Sequence, residues 1–129
     1  MTMTLDDLVG IPWKVGGRDR DGIDCVGLAI LAQKVLCGRD LEFRQSYDEL
    51  NQYERSVLIR DEVERVFERE EPPRTGSVGL FYFEKCWHVV TFTDAMYFLH
   101  VFEGRTSRIS RLTPAYRRYL KGVYAWSER

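Results

Sequence analysis

The sequence lacks a surplus of charge of either sign. Its 19 lysines and arginines are offset by 20 aspartates and glutamates, which gives a formal net charge of -1. Proteins that bind nucleic acid through its phosphates normally carry a basic excess or a clustered basic surface. The composition gives no sign of either, so we expect no nucleic-acid partner.

Long apolar runs and paired cysteines are also scarce. No stretch approaches the roughly 20 apolar residues of a membrane helix, and residues 1–8 lack the cationic and apolar regions of a secretory signal. The three cysteines show no paired spacing, which argues against a disulfide framework. We therefore expect a chain without a membrane span that is made in the cytoplasm.

Hydrophobic residues make up 44% of the sequence, which is enough to form the core of one folded domain over residues 1–129. A helix is predicted from the Asp24 N-cap to Gly38, and a second one over residues 46–71. The β-branched and aromatic segments after Gly76 predict consecutive strands, which lie near residues 78–83, 87–92, 96–102, 109–112 and 122–126. The fold class is therefore α+β, with N-terminal helices packed on a C-terminal antiparallel sheet of about five strands.

Cys25 stands out because it follows a glycine-rich turn and begins a helix. Asp24 is a good N-cap residue, so Cys25 is expected in the first helical turn. The helix dipole and free backbone N–H groups there favour the thiolate, which is the nucleophilic form of cysteine. The alternative interpretation is that Cys25 is a small buried hydrophobe with a packing role.

His88 and His100 are the only two histidines in the chain. They fall on neighbouring predicted strands, and a turn at residues 93–95 would place them opposite or nearly opposite each other on one face of the sheet. A nucleophile at a helix start, a base on a strand and an orienting group beside it form an arrangement suited to acyl transfer. The alternative is that each histidine is a structural residue with local hydrogen bonds.

The order of these motifs resembles the NlpC-type cell-wall peptidases, papain-like cysteine hydrolases, and in particular their short phage tail-associated forms. The resemblance rests on segments spread over nearly the whole chain, which are Gly10–Trp13, Gly16–Asp19, Gly22–Leu28, Gly76–Val78, Trp87–Val90 and Phe98–Val101. The block around the cysteine is the most diagnostic of them.

The resemblance implies that Cys25 is the nucleophile, His88 the general base and acid, and His100 the residue that orients the imidazole. It implies a substrate-binding set composed of Trp13, Asp24, Val26, Ser77 and Trp87. The implied reaction is hydrolysis of an amide bond in peptidoglycan stem peptides, without a cofactor. The implied setting is a phage tail acting at the host cell wall, with tail-tip proteins as further partners.

The same residues are also compatible with other functions. Trp13, Val26 and Ser77 stand where related sequences often carry tyrosine, serine and an acidic residue, which motivates a non-catalytic tail-assembly or tail-tip protein that retains the fold. An amidase or acyltransferase acting on another small substrate would share the same catalytic residues. Cys86 near His88 offers zinc-type ligands, but paired C-x-x-C spacing is absent and we expect no metal.

Overall fold

The computed structural model describes residues 2–43 and 50–126, and the fold is given for these ranges. A 3-10 helix and three α-helices are accompanied by eight strands. In chain order they are the 3-10 helix Leu5–Leu8, β1 Arg18–Asp19, β2 Gly22–Ile23, α1 Cys25–Cys37, α2 Gln52–Val66, β3 Phe67–Arg69, β4 Val78–Phe83, β5 Cys86–Phe92, β6 Tyr97–His100, β7 Arg108–Arg111, α3 Pro114–Arg117 and β8 Leu120–Trp126. Within the described ranges, no helix is long and apolar enough to cross a membrane.

The main sheet has six strands in the order β3-β8-β4-β5-β6-β7, and every neighbouring pair is antiparallel. Strands β1 and β2 form a separate small hairpin in front of α1. The α+β prediction with N-terminal helices and a C-terminal antiparallel sheet is confirmed at this level. The sheet has six strands rather than about five because β3 joins its edge.

Helix α1 begins and ends where the sequence predicts. The Asp24 side chain accepts a hydrogen bond from the Gly27 backbone N–H at 2.8 Å, which satisfies one of the free donors at the helix start. Gly38 ends the helix in the left-handed conformation at φ 66°, where the lack of a Cβ removes the usual steric penalty. Local capping signals therefore determine the position of Cys25 at the first residue of α1.

The second helix was predicted too long. Helix α2 ends at Val66, and residues 67–69 form strand β3, which pairs with β8. Phe67 is 5% exposed and packs edge-on against Trp126 with 5.7 Å between ring centroids. Burial against a strand distant in sequence therefore overrides the helical charge pattern there. Residues 46–49 of the predicted helix lie outside the described residues.

The sheet is covered on both faces. On one face, Val26 of α1 and Ile59 of α2 pack with Leu80 and Val89 of the sheet. On the other, Phe81, Val90, Phe92 and Phe98 form an aromatic-rich cluster, against which Tyr116 of α3 packs. Both α1 and α2 contact β5. This packing brings the N-terminus of α1 to the strand that carries His88.

Candidate active site

A network centred on Asp24 holds the loop that leads to Cys25. One carboxylate oxygen accepts from the Gly16 backbone N–H at 2.9 Å, and the other from the Gly27 N–H at 2.8 Å. Arg18 adds a salt bridge with 2.8 Å between Nη1 and Oδ1. Asp24 is only 5% exposed, and both of its carboxylate oxygens accept hydrogen bonds from other groups of the protein. The predicted N-cap role is thus seen directly, and the Asp24 carboxylate fixes the approach to the nucleophile candidate.

The Cys25 thiol is neutral at rest, contrary to the expectation drawn from the helix dipole. Burial raises its pKa to about 12, and the adjacent Asp24 carboxylate raises it further. Hydrogen bonds from the backbone N–H groups of Val89 and Val26, together with the Arg18 charge, favour the thiolate but do not outweigh burial. The position at the helix start was predicted correctly, whereas the thiolate character was not.

His88 lies near the beginning of β5, with its ring stacked on Phe102 at 4.8 Å between centroids. Its Nε2 is buried and has no hydrogen-bond partner among the described residues. Burial lowers the pKa of the imidazole to about 3, and the neighbouring His100 lowers it further. His88 is therefore a neutral imidazole at physiological pH, which is the protonation state that a general base requires.

His100 is 1% exposed and is enclosed by aromatic rings. Phe98 and Phe102 lie 4.8 and 4.7 Å from it between centroids. Its Nε2 lies 2.8 Å from the Ser110 Oγ, and its Nδ1 is buried without a partner among the described residues. Burial lowers the pKa of His100 to about 4, with a smaller contribution in the same direction from Arg108. This ring is neutral as well.

The two histidines share a face but are not directly opposite. In the β5–β6 pair, Thr91 faces Leu99 and Phe92 faces Phe98. If this register is continued by one residue, His100 falls opposite Val90 and His88 becomes its diagonal neighbour. The two imidazole ring centroids are 6.1 Å apart at 82°. Diagonal neighbours on a sheet remain within reach for ring side chains. The predicted shared face and the nearly opposite placement are confirmed. The hairpin is centred on residue 95 rather than the predicted residue 94, so the two histidines are offset by two residues.

A cleft of about 680 Å³ opens beside these residues. Both Cys25 and His88 line it, as do the predicted residues Trp13, Asp24 and Trp87. Within the described ranges, no hydrogen bond joins the Cys25 sulfur to a His88 nitrogen; the His88 Nε2 is unpartnered. The volume is within the range of pockets that hold small ligands or short peptides.

Two residues of the predicted substrate-binding set lie elsewhere. Val26 is 5% exposed and packs in the core between α1 and the sheet. Ser77 is 2% exposed, and its Oγ accepts a hydrogen bond from the Arg74 backbone N–H at 2.9 Å. Neither residue lines the cleft. Their predicted contact with substrate is therefore corrected, because both side chains face the protein interior.

The structure adds residues that sequence reasoning did not identify. The cleft is also lined by charged and polar side chains, namely Gln52, Arg55, Ser56, Glu84, Glu103 and Arg105. Ser110, behind His100, was missed because a seven-residue connection separates β6 from β7, and sequence alone does not set the register across it. The only available signal was parity, since Ser110 and His100 are both even-numbered positions on neighbouring strands.

Cys37 and Cys86 lie in different surroundings. In residues 2–43 and 50–126, no group of three histidine, cysteine or acidic side chains is placed to hold a metal ion. Cys86 lines the cleft. The Cys37 sulfur lies against Gly76, where a Cβ would overlap it. Cys37 thus has a packing role, as its position at the helix end indicated.

Comparison with solved structures shows which fold this is. The NlpC/p60 domain of the peptidoglycan hydrolase SagA matches 93% of this chain over 91% of its own length, with a TM-score of 0.58 and 16% identity. A Staphylococcus aureus protein described as similar to lipoprotein, of the NLP/P60 family, matches 97% of this chain over 40% of its own, with a TM-score of 0.64 and 17% identity. No protein-family model and no curated protein matches the sequence. The chain has an NlpC/p60-like fold.

Proposed function

We propose that this protein is a cysteine peptidase of the NlpC/p60 type that hydrolyses an amide bond in peptidoglycan stem peptides. The observation that carries the proposal is that Cys25, at the first residue of α1, and His88, on β5, line one cleft. The NlpC/p60-like fold supports the substrate class, since one solved protein with this fold is a peptidoglycan hydrolase.

The proposed first half-reaction forms a thioester. The Cys25 sulfur attacks the amide carbon while His88 accepts the thiol proton. Because thiol and imidazole are both neutral at rest, this proton transfer accompanies the attack rather than preceding it. The backbone N–H of Cys25 at the helix start would stabilise the oxyanion. Then the C–N bond breaks, and His88 returns the proton to the leaving amine.

In the second half-reaction, water attacks the thioester carbon while His88 accepts a proton from that water. The C–S bond breaks, the carboxylic acid product leaves, and Cys25 recovers its proton from His88. His100 acts as the residue that orients His88. Trp13, Asp24 and Trp87 line the cleft and remain candidates for contact with substrate, with Asp24 acting mainly by holding the loop.

The test is digestion of defined muropeptides, with product masses measured by mass spectrometry. The proposal predicts two products whose masses sum to that of the substrate plus one water, and their masses identify the bond. The Cys25→Ala variant is expected to give none, whereas Cys37→Ala, which alters a thiol outside the cleft, is expected to cleave as the parent does. Equal cleavage by Cys25→Ala and the parent would refute the proposal.

We also propose a phage tail as the setting, with tail-tip proteins as partners and the host cell wall as the place of action. The support is the resemblance of the motifs around Cys25 and the two histidines to short tail-associated members of the NlpC type. Mass spectrometry of purified virions and of isolated tails tests it. Absence of the protein from both preparations, when it is made during infection, would exclude this setting.

A second candidate function is a non-catalytic structural part of a tail. The favouring observation is that burial raises the pKa of Cys25 to about 12 and lowers that of His88 to about 3, which makes the thiol a weak acid and the imidazole a weak base for the proton transfer. This candidate predicts no muropeptide cleavage by the parent protein. It also predicts that Cys25→Ala protein assembles into infective particles as efficiently as the parent. Loss of infectivity with Cys25→Ala at normal particle numbers would exclude it.

A further inference from the structure

The His100 ring has an unusual set of neighbours for a buried polar group. Aromatic rings of Phe98, Phe102 and Tyr116 surround it at centroid distances of 4.8, 4.7 and 6.1 Å. None of these rings accepts or donates a strong hydrogen bond to the imidazole. Among the described residues, the Ser110 hydroxyl is its single hydrogen-bond partner, at 2.8 Å from Nε2.

Strand pairing brings this hydroxyl to His100. In the β6–β7 pair, Phe98 faces Ser110 and His100 faces Arg108, so Ser110 and His100 are diagonal neighbours on one sheet face. A hydroxyl is both donor and acceptor. The direction of the bond therefore decides which nitrogen of the neutral His100 ring carries the proton.

The two unpartnered nitrogens show why that direction matters. The His88 Nε2 and the His100 Nδ1 are both buried without partners among the described residues, and their rings are 6.1 Å apart between centroids. Both nitrogens are satisfied when the N–H of one ring donates a hydrogen bond to the lone pair of the other. The hydrogen bond forms directly if the rings move slightly closer, or through a bridging water. Since the His88 Nε2 is buried while the residue lines the cleft, Nδ1 is the nitrogen that can meet the Cys25 thiol.

We propose that Ser110 is a positioning residue that sets the proton pattern of the histidine pair, an inference that rests on the proposed function. Ser110 accepts a hydrogen bond from the His100 Nε2–H, which leaves the His100 Nδ1 as an acceptor. The His88 Nε2–H is directed at this acceptor, and the His88 Nδ1 keeps a free lone pair for the thiol proton. If Ser110 instead donated its hydrogen bond to the His100 Nε2, the proton of each imidazole would move to Nδ1. His88 would then present an N–H, rather than a lone pair, to the thiol.

The test combines a tautomer measurement with steady-state kinetics. Long-range ¹H–¹⁵N spectra at pH 7 report which nitrogen of each imidazole is protonated, and the chain has only two histidines to assign. We expect Nε2–H on both rings in the parent. In Ser110→Ala we expect His100 to become a mixture of tautomers, with kcat for muropeptide cleavage lowered about fivefold to tenfold and KM unchanged.

Matched variants separate this role from general damage to β7. Ser110→Thr retains the hydroxyl and is expected to restore both the tautomer and kcat. Ile109→Val changes the neighbouring exposed side chain and is expected to match the parent in both readouts. A parent spectrum with His100 protonated at Nδ1, or a Ser110→Ala spectrum identical to that of the parent, would overturn the inference.

The two measurements can fail separately. If the parent cleaves no muropeptide, the proposed function fails, while the spectra still decide whether Ser110 sets the His100 tautomer. If Ser110→Ala does not fold, the spectra of the parent and of Ser110→Thr decide the same question, because Nδ1–H on His100 in either protein contradicts the proposed hydrogen-bond direction.

Discussion

The reactivity of Cys25 towards an alkylating reagent follows directly from its surroundings. With a pKa of about 12, roughly 1 thiol in 100,000 is ionised at pH 7, whereas an ordinary cysteine with a pKa of about 8.5 is roughly 3% ionised. The thiolate population is therefore about 3,000-fold smaller. A more basic thiolate is intrinsically more nucleophilic, and with a Brønsted coefficient near 0.45 this returns about 40-fold. The net expectation is alkylation about 100-fold slower than that of an unperturbed thiol.

The assay is iodoacetamide labelling followed by intact mass. A variant with Cys37→Ser and Cys86→Ser isolates Cys25, and an unstructured cysteine peptide is the reference. Between pH 7 and pH 10, we expect the Cys25 rate to rise about tenfold per pH unit without a plateau. A plateau that begins below pH 7, with labelling faster than that of the peptide, would refute the neutral resting thiol and favour a thiolate stabilised by the helix start.

Three further predictions concern stability. The buried neutral His88 and His100 have folded pKa values of about 3 and 4, below the unfolded value near 6.5, so stability falls as the pH drops below 6.5. Urea unfolding should show about 4 kcal/mol less stability at pH 5 than at pH 7, and equal midpoints would contradict this. Asp24→Ala removes acceptors for two backbone N–H groups and Arg18 and should lower the free energy of unfolding by about 2 to 3 kcal/mol in the same assay. Asn51 is the exposed N-cap of α2, and Asn51→Ala should cost about 1 kcal/mol. Equal losses in the two variants would refute the stabilising role of the buried Asp24 network. Gly27→Ala places a Cβ into the backbone of the glycine-rich loop and should lower the free energy of unfolding by more than about 2 kcal/mol. A melting temperature equal to that of the parent would contradict this.

Sequence reasoning succeeded where signals were local. The Asp24 cap and the Gly38 end determine α1 from within the helix and its flanks, so the position of Cys25 followed without tertiary information. The strand segments were found because β-branched and aromatic residues cluster there. The histidine face followed from the twofold period of a strand.

The predictions from sequence were wrong or incomplete where contacts between residues distant in the chain determine the structure. The β5–β6 register is set by a turn in which Asp94 accepts the backbone N–H groups of Met96 and Tyr97, and this centres the hairpin on residue 95 rather than 94. The ending of α2 depends on Phe67 packing against Trp126. The thiol pKa depends on burial against β5, which outweighs the local helix field. The contact of Ser110 with His100 depends on the pairing of β7 with β6, which the sequence alone does not determine.

The proposed function depends on hydrolysis of an amide bond by Cys25 in this cleft. Its most direct test is the initial rate at which purified sacculi release new amino groups when treated with the parent, Cys25→Ala or Cys37→Ala protein. We expect release by the parent and by Cys37→Ala, and release at the untreated background rate with Cys25→Ala. Release by Cys25→Ala at the parent rate, or no release by the parent, would contradict hydrolysis by Cys25.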